Sequence, residues 1–303
     1  MNTSLPGVLI LADIEGSSGC WNRQSAAFMT RPWAQACHGM TLDVAVVVDA
    51  LLAAGVDRIV VKDFHRTGYN LLPERINPKA KVISGYRSGP VPGIGRPQGL
   101  QVLFLLGMHA ASGSGGFLAH TLTSRIASLT VNGARLAEVE LFAASLAPYG
   151  LRPIFFSGCP IACRQAALAL PGIATYAIDK RSNPQHFDAC AWRQGLAAAA
   201  RAALHNSTTR PHLPMGPFCA QVVFRDGSRY AHRIARRWRL PCRGTAITVK
   251  AATFNDLYRQ LIRVCYLTPL IDRTLPLSLL PFNLMGRLGL TWVRYCLRRQ
   301  DVD

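Results

Sequence analysis

Two short apolar runs, V-L-I-L at residues 8–11 and R-I-V-V-K at 58–62, flank the stretch 41–54, T-L-D-V-A-V-V-V-D-A-L-L-A-A, which is followed by Gly55. The runs are short, continuous and bounded by turn residues, as buried strands are. The stretch between them predicts a helix with Gly55 as its C-cap. Strand, helix and strand in that order make a βαβ unit, whose two strands lie parallel. This constrains the chain strongly. A parallel sheet needs helices on its faces, and it gathers the carboxyl ends of its strands along one edge.

Further along, V-L-F-L-L at 102–106 and I-F-F-S-G at 154–158 read as buried strands, K-V-I-S at 81–84 as a short one, and 126–132 as another. A helix is expected around 135–146, carrying Glu138. Residues 17–40 read as polar and irregular, with Trp21 and Trp33 as loop anchors. The Pro-rich stretch 205–217 marks a boundary. After it, 218–250 alternates as antiparallel strands do, and a helix is expected over 254–266. The expected fold class is therefore α/β: a mostly parallel sheet with flanking helices, plus a smaller α+β C-terminal domain with antiparallel strands. The boundaries are an α/β catalytic domain over 1–210, a strand-rich domain over 211–267 and an Arg/Leu-rich extension over 268–303. That extension is expected to pack on the body or on another subunit, with an amphipathic interfacial helix as the other possibility.

Half of the 303 residues are hydrophobic and 17% are charged, which excludes general disorder. The net charge of +18 comes almost wholly from arginine. A charge of that size raises the question of a nucleic-acid partner. The arginines are scattered, however, with no zinc-finger spacing and no RNA-binding aromatic motif, so no nucleic acid is expected. Nine cysteines, odd in number and without paired ligand spacing, fit reduced thiols in a cytoplasmic protein. No run of about 18 uncharged apolar residues points to a transmembrane segment, and the start of the chain lacks the pattern of a signal peptide.

Chemistry collects at the predicted strand ends. Asp13 and Glu15 follow the first strand, at i and i+2, and so project from one face if the strand persists through them. Two carboxylates that close repel unless a proton or cation lies between them. His65 follows the second strand, His109 follows the strand at 102–106, and Glu138 adds a carboxylate from a helix. Any one of these is more simply a polar strand end. Together they would meet in one crevice, because parallel strands converge their carboxyl ends there. Two histidines and three carboxylates suit a pair of borderline divalent cations such as zinc.

The motifs A-D-I-E-G-S-S-G, K-D-F-H, G-M-H-A, F-L-A-H-T and L-A-E-V-E, in this order and at these spacings, resemble the M55 family of D-aminopeptidases. The segment I-N-P-K-A-K-V-I-S-G is similar to another element of that family. The likeness is strong over residues 8–140 and fainter to about 267. It implies a site of two Zn2+ per subunit. Asp13 would bridge the metals, Glu15 and His65 would complete one position, and His109 and Glu138 the other. His120, after the Gly-rich stretch 112–116, matches the family's catalytic histidine. The resemblance also implies a large homo-oligomer, a decamer by family analogy. Two departures stand out: Cys159 replaces the family's usual aspartate, and Ser182-Asn183-Pro184 replaces its Ser-Arg-Ser after Lys180. Both fall where the substrate pocket or the oligomer contacts are shaped.

The function expected is that of a dizinc aminopeptidase or dipeptidase, cleaving the amide bond of short peptides, including those with D-amino acids, through a metal-activated water. The altered 159–190 region leaves a β-amino-acid or natural-product peptide as an alternative substrate. From another class, the charge of +18 motivates a catalytically inactive basic binding protein.

Overall fold

The computed structural model describes residues 5–97 and 99–300. Among these residues the chain runs β1 (Val8–Ala12), α1 (Arg31–Ala53), β2 (Ile59–Asp63), β3 (Lys81–Ile83), β4 (Val102–Met108), β5 (Ile126–Val131), β6 (Ala134–Arg135), α2 (Glu138–Leu146), β7 (Arg152–Gly158), α3 (Pro160–Ala169), β8 (Ala174–Ala177) and α4 (Ala189–Ala203). It continues through β9 (Phe218–Phe224), α5 (Gly227–Trp238), β10 (Cys242–Arg243), β11 (Ala246–Ala251), α6 (Phe254–Tyr266), α7 (Pro269–Arg273) and α8 (Leu275–Gln300).

Six strands form one sheet in the order β3-β2-β1-β4-β7-β8, every neighbouring pair parallel. β1 sorts its side chains with period two. Val8, Ile10 and Ala12 enter the core shared with α1, α4 and α8, while Leu9 and Leu11 enter the core on the opposite face. The chain winds outward from β1 to β3 and then returns to lay β4 on the other side of β1. The crevice beyond the carboxyl ends of β1 and β4 is thus a topological switch point, where open α/β sheets bind ligands.

A second sheet, β10-β11-β9-β5-β6, is antiparallel throughout. The fold class is the one expected from sequence. The smaller sheet takes β5 and β6 from ahead of residue 211 and pairs β5 with β9, so its strands come from two distant parts of the chain. Leu141 and Phe142 of α2 join the core of the large sheet to Val222, Ile247 and Leu261 of the small lobe.

Two local expectations need correction. Residues 31–40 are helical: α1 starts at Arg31, because Thr30 caps Trp33 N–H at 3.1 Å and Pro32 fits a first turn that needs no N–H from it. Trp33 is therefore a core residue of that helix, fully buried, with Nε1 donating to Asn70 at 3.0 Å. The stretch 218–250 is not all strand. α5 interrupts it with Ala231, Ile234 and Ala235 inward and arginines outward, a helical spacing hidden by its high polarity. The extension forms α8, which packs on α1. Trp292 stacks on Trp33 with ring centroids 6.1 Å apart, and Gly289 lies under Phe28.

By length and composition α1 is apolar enough to cross a membrane, but it is mostly buried within the protein. It is a core helix here.

Candidate metal centre

The crevice at the switch point holds all six residues singled out above. Asp13 continues the β1 ladder, its N–H donating to Leu106 O at 2.9 Å, and Gly16 N–H donates to Gly107 O at 2.7 Å. The chain after β1 is therefore pinned to the end of β4, and both acids face the crevice, buried. Gly107 makes this close approach feasible. Its φ is +69°, and a Cβ there would lie 2.2 Å from Asp13 O. Gly107→Ala is expected to destabilise the fold by about 2–4 kcal/mol through left-handed strain and overpacking. Thermal unfolding of the purified variant measures this directly.

His65 sits on the turn after β2. Its Nδ1 is 3.2 Å from Asp13 Oδ1 and 3.1 Å from Glu15 Oε2. His109, after β4, places Nε2 3.5 Å from both Asp13 Oδ2 and Glu138 Oε2. Asp13 thus offers one oxygen to each histidine. Glu138 opens α2, and its Oε1 accepts from Leu122 N–H at 2.7 Å, which turns Oε2 toward His109. The second acid of L-A-E-V-E, Glu140, accepts from Ala137 N–H at 3.0 Å and so caps the helix instead of joining the cluster.

His120 lies with its ring stacked on His109, centroids 3.7 Å apart, and its Nε2 3.9 Å from Glu15 Oε1. Its side chain is 18% exposed, against 10% or less for the five other groups. Two triplets have donor atoms mutually within 4.8 Å: Asp13, Glu15 and His65 form one, and His109, His120 and Glu138 the other.

The ring nitrogens facing outward show what the cluster is built to hold. His109 Nδ1 is 3.1 Å from Ala110 O, His65 Nε2 is 3.3 Å from Ala26 O, and His120 Nδ1 is 2.8 Å from Leu118 O. A carbonyl can only accept, so each of these nitrogens carries a proton. Such backbone partners commonly fix the tautomer of metal-binding histidines. The opposite nitrogens of His65 and His109 then face carboxylate oxygens directly. A bare lone pair there would repel the carboxylates, so a proton or a cation must lie between, and the donor set of nitrogen and oxygen suits zinc.

Titration tells the same story for the cation-free protein. Burial and the charge of Glu15 push Asp13 up to about 7. Burial would lower His109, but Glu138 outweighs it and raises the ring to about 10. Burial likewise opposes protonation of His65, yet Glu15 and hydrogen bonds to both acids hold it well above the ordinary imidazole value. Protons there occupy the places of cations. His120 moves the other way, lowered by burial and by the charge of His109.

Several supporting residues were not singled out from sequence. Asp43 of α1 accepts from Ser18 N–H at 2.7 Å, Ser18 Oγ at 2.6 Å and Arg193 Nε at 2.8 Å, which ties the turn after Glu15 to α1 and α4. Lys180, noticed only as a motif residue, donates to Ser17 O and to Cys20 O, the latter at 2.7 Å, with its ammonium over Trp21. Asn70 donates to His65 O at 2.7 Å and to Asp63 Oδ1 at 2.9 Å, setting the turn that aims His65. The partners of Asp43 and Lys180 lie between 25 and 163 positions away, so no local spacing signals them.

A parallel α/β sheet with histidines and carboxylates converging at its switch point defines a metallohydrolase-like class of site. The profile of the M55 peptidase family, described as D-aminopeptidase, matches residues 7–262, and the chain belongs to that family. It is 24% identical over 170 residues to a D-aminopeptidase of Bacillus subtilis (strain 168). That alignment covers 55% of this chain and spans 61% of the length of the relative. The fold is similar to that of a solved structure described as the Zn-dependent D-aminopeptidase DppA from Bacillus subtilis, a self-compartmentalizing protease. The TM-score is 0.77 at 19% identity, covering 85% of this chain and 96% of that one. α8 lies beyond the matched residues.

Proposed function

We propose that this protein is a zinc-dependent aminopeptidase or dipeptidase that hydrolyses the amide bond of short peptides. The observation that carries the reading is the pair of histidine nitrogens, on His65 and His109, each set against oxygens of Asp13 and a second carboxylate. Glu15 and His65 would hold one zinc ion, His109 and Glu138 a second, and Asp13 both. When bound, the two ions would supply Lewis acidity that activates water and polarises the scissile carbonyl.

The protein's own groups do the rest. His120 presents an unprotonated Nε2 at the least buried side of the cluster, where it can take a proton and return it to the departing amine. Its Nδ1–H bond to Leu118 O keeps Nε2 as the accepting atom. Glu15, besides its share of one metal position, lies within reach of that nitrogen and offers a negative charge to the imidazolium as it forms. Asp13, Glu15, His65, His109 and Glu138 are all buried, so the chemistry takes place beside little bulk water.

D-amino-acid peptides are the substrate class that the family relationship favours. Cys159 caps the start of α3 without a side-chain hydrogen bond, where an aspartate would bring charge, and this supports a pocket retuned toward a different small amide. A homo-oligomeric assembly and a cytoplasmic setting complete the proposal. The nine thiols are unpaired, as a reducing compartment keeps them.

The deciding experiment is metal analysis of the purified chain together with amine release from a panel of D,D-, L,L- and β-dipeptides. Zinc bound at a stoichiometry near two, with turnover lost to a chelator and restored by zinc, is the expected result. A chain that binds no zinc, or that turns over equally well with chelator, ends the reading. Loading zinc into the chelated protein must also expel protons from His65 and His109, so a weakly buffered solution acidifies and apparent affinity falls as pH drops. A pH electrode during titration checks the sign.

A further inference from the structure

We propose that α8 is a membrane-docking element that lays the protein on an anionic lipid surface, an activity separate from peptide hydrolysis. The inner face of the helix is committed to the body. Gly286 and Gly289 let it close on Tyr69 and Phe28, Val293 is fully buried, and Arg294 pairs with Glu74 at 2.7 Å.

The outer face is apolar. Leu277, Leu284, Leu288 and Tyr295 follow one another at steps of seven, four and seven residues, which places them along one line of an α-helix, with Leu280 beside them. They are between 53% and 68% exposed. The line is about 27 Å long at 1.5 Å per residue. Such a stripe beside a packed inner face suits a helix lying in a bilayer interface rather than one crossing it.

Charge selects the occupant. Arg287, Arg298 and Arg299 flank the stripe and are exposed, and residues 275–300 contain no aspartate or glutamate. The whole chain carries +18. A second copy seated on this face would set one acid-free basic helix against another. An anionic bilayer receives the leucines and neutralises the arginines together, as the cytoplasmic leaflet does for juxtamembrane basic segments.

The test is co-sedimentation of the full chain with vesicles of phosphatidylcholine alone or mixed with phosphatidylglycerol, at low and high salt. The expected result is binding to the mixed vesicles only, released by salt. Leu280→Ser with Leu284→Ser should weaken it about tenfold or more, and Arg298→Gln with Arg299→Gln on the order of tenfold. Both pairs point outward, so thermal unfolding and zinc content should match the wild type, which separates lost docking from lost folding. Absence of sedimentation, equal binding to neutral vesicles, or binding untouched by the leucine changes overturns the proposal. The last outcome would place the attraction on other arginines, such as the outer face of α5. A fall in oligomeric mass on the leucine changes, with no vesicle binding by the wild type, overturns it in favour of a second copy.

Discussion

Asp13→Ala is expected to empty both metal positions at once and to lower peptide hydrolysis by at least about 10³-fold, since it removes several kcal/mol of metal-derived stabilisation. The reason is geometric. Oδ1 is 3.2 Å from His65 and Oδ2 is 3.5 Å from His109, so this one carboxylate serves both halves of the cluster. Glu15→Ala removes a carboxylate that approaches His65 and His120, whereas His109 has Asp13 and Glu138. It should therefore cost mainly one metal. Zinc content per chain, measured on both variants alongside turnover, distinguishes the two. Equal zinc loss from both would show that Asp13 is not shared.

The second large effect concerns His120. His120→Ala is expected to reduce kcat by about 10²–10⁴-fold, the usual span for a lost general acid–base group, while leaving zinc content unchanged. The ring lies within the same 4.8 Å as His109 and Glu138, so the structure brings it close enough to be a third donor. Zinc content decides between the roles. If zinc falls with the ring, His120 is a ligand and the proton transfer belongs elsewhere. The pH profile adds a sign. Burial lowers the pKa of His120, so its accepting form persists to lower pH than an ordinary imidazole. The acidic limb of kcat attributable to it should accordingly lie below the usual histidine range.

How much of this was legible in the sequence varies with the range of the interaction. β1, β2, β4 and β7 announce themselves because parallel strands buried on both faces read as unbroken apolar runs. The sequence pattern marks α1 only from residue 41. Its first turns carry Arg31, Gln35 and His38, whose polarity masks a helix start that depends on Thr30 and Pro32. α5 is masked for the same reason, because four arginines on its outer face drown the inward Ala231, Ile234 and Ala235. β8, α3 and α4 carry few large apolar residues and so gave little periodic signal of their own.

The candidate site shows the same division. The residue types and their positions at strand ends could be read directly, and five motifs in order pointed to one family. The supports could not. Arg193 and Lys180 reach the turn after Glu15 from far along the chain, and only folding brings them there.

By itself, then, the sequence determined a parallel sheet, the carboxyl-end placement of Asp13, Glu15, His65 and His109, and the family motifs, because strand burial and strand-end turns are local properties. The tertiary structure alone decided that β4 lies against β1, which turns separate polar ends into one crevice. It also decided the pairing of β5 with β9 and the seating of α8 on α1. Those depend on contacts between residues dozens to hundreds of positions apart, where neither spacing nor composition carries information until the cores close.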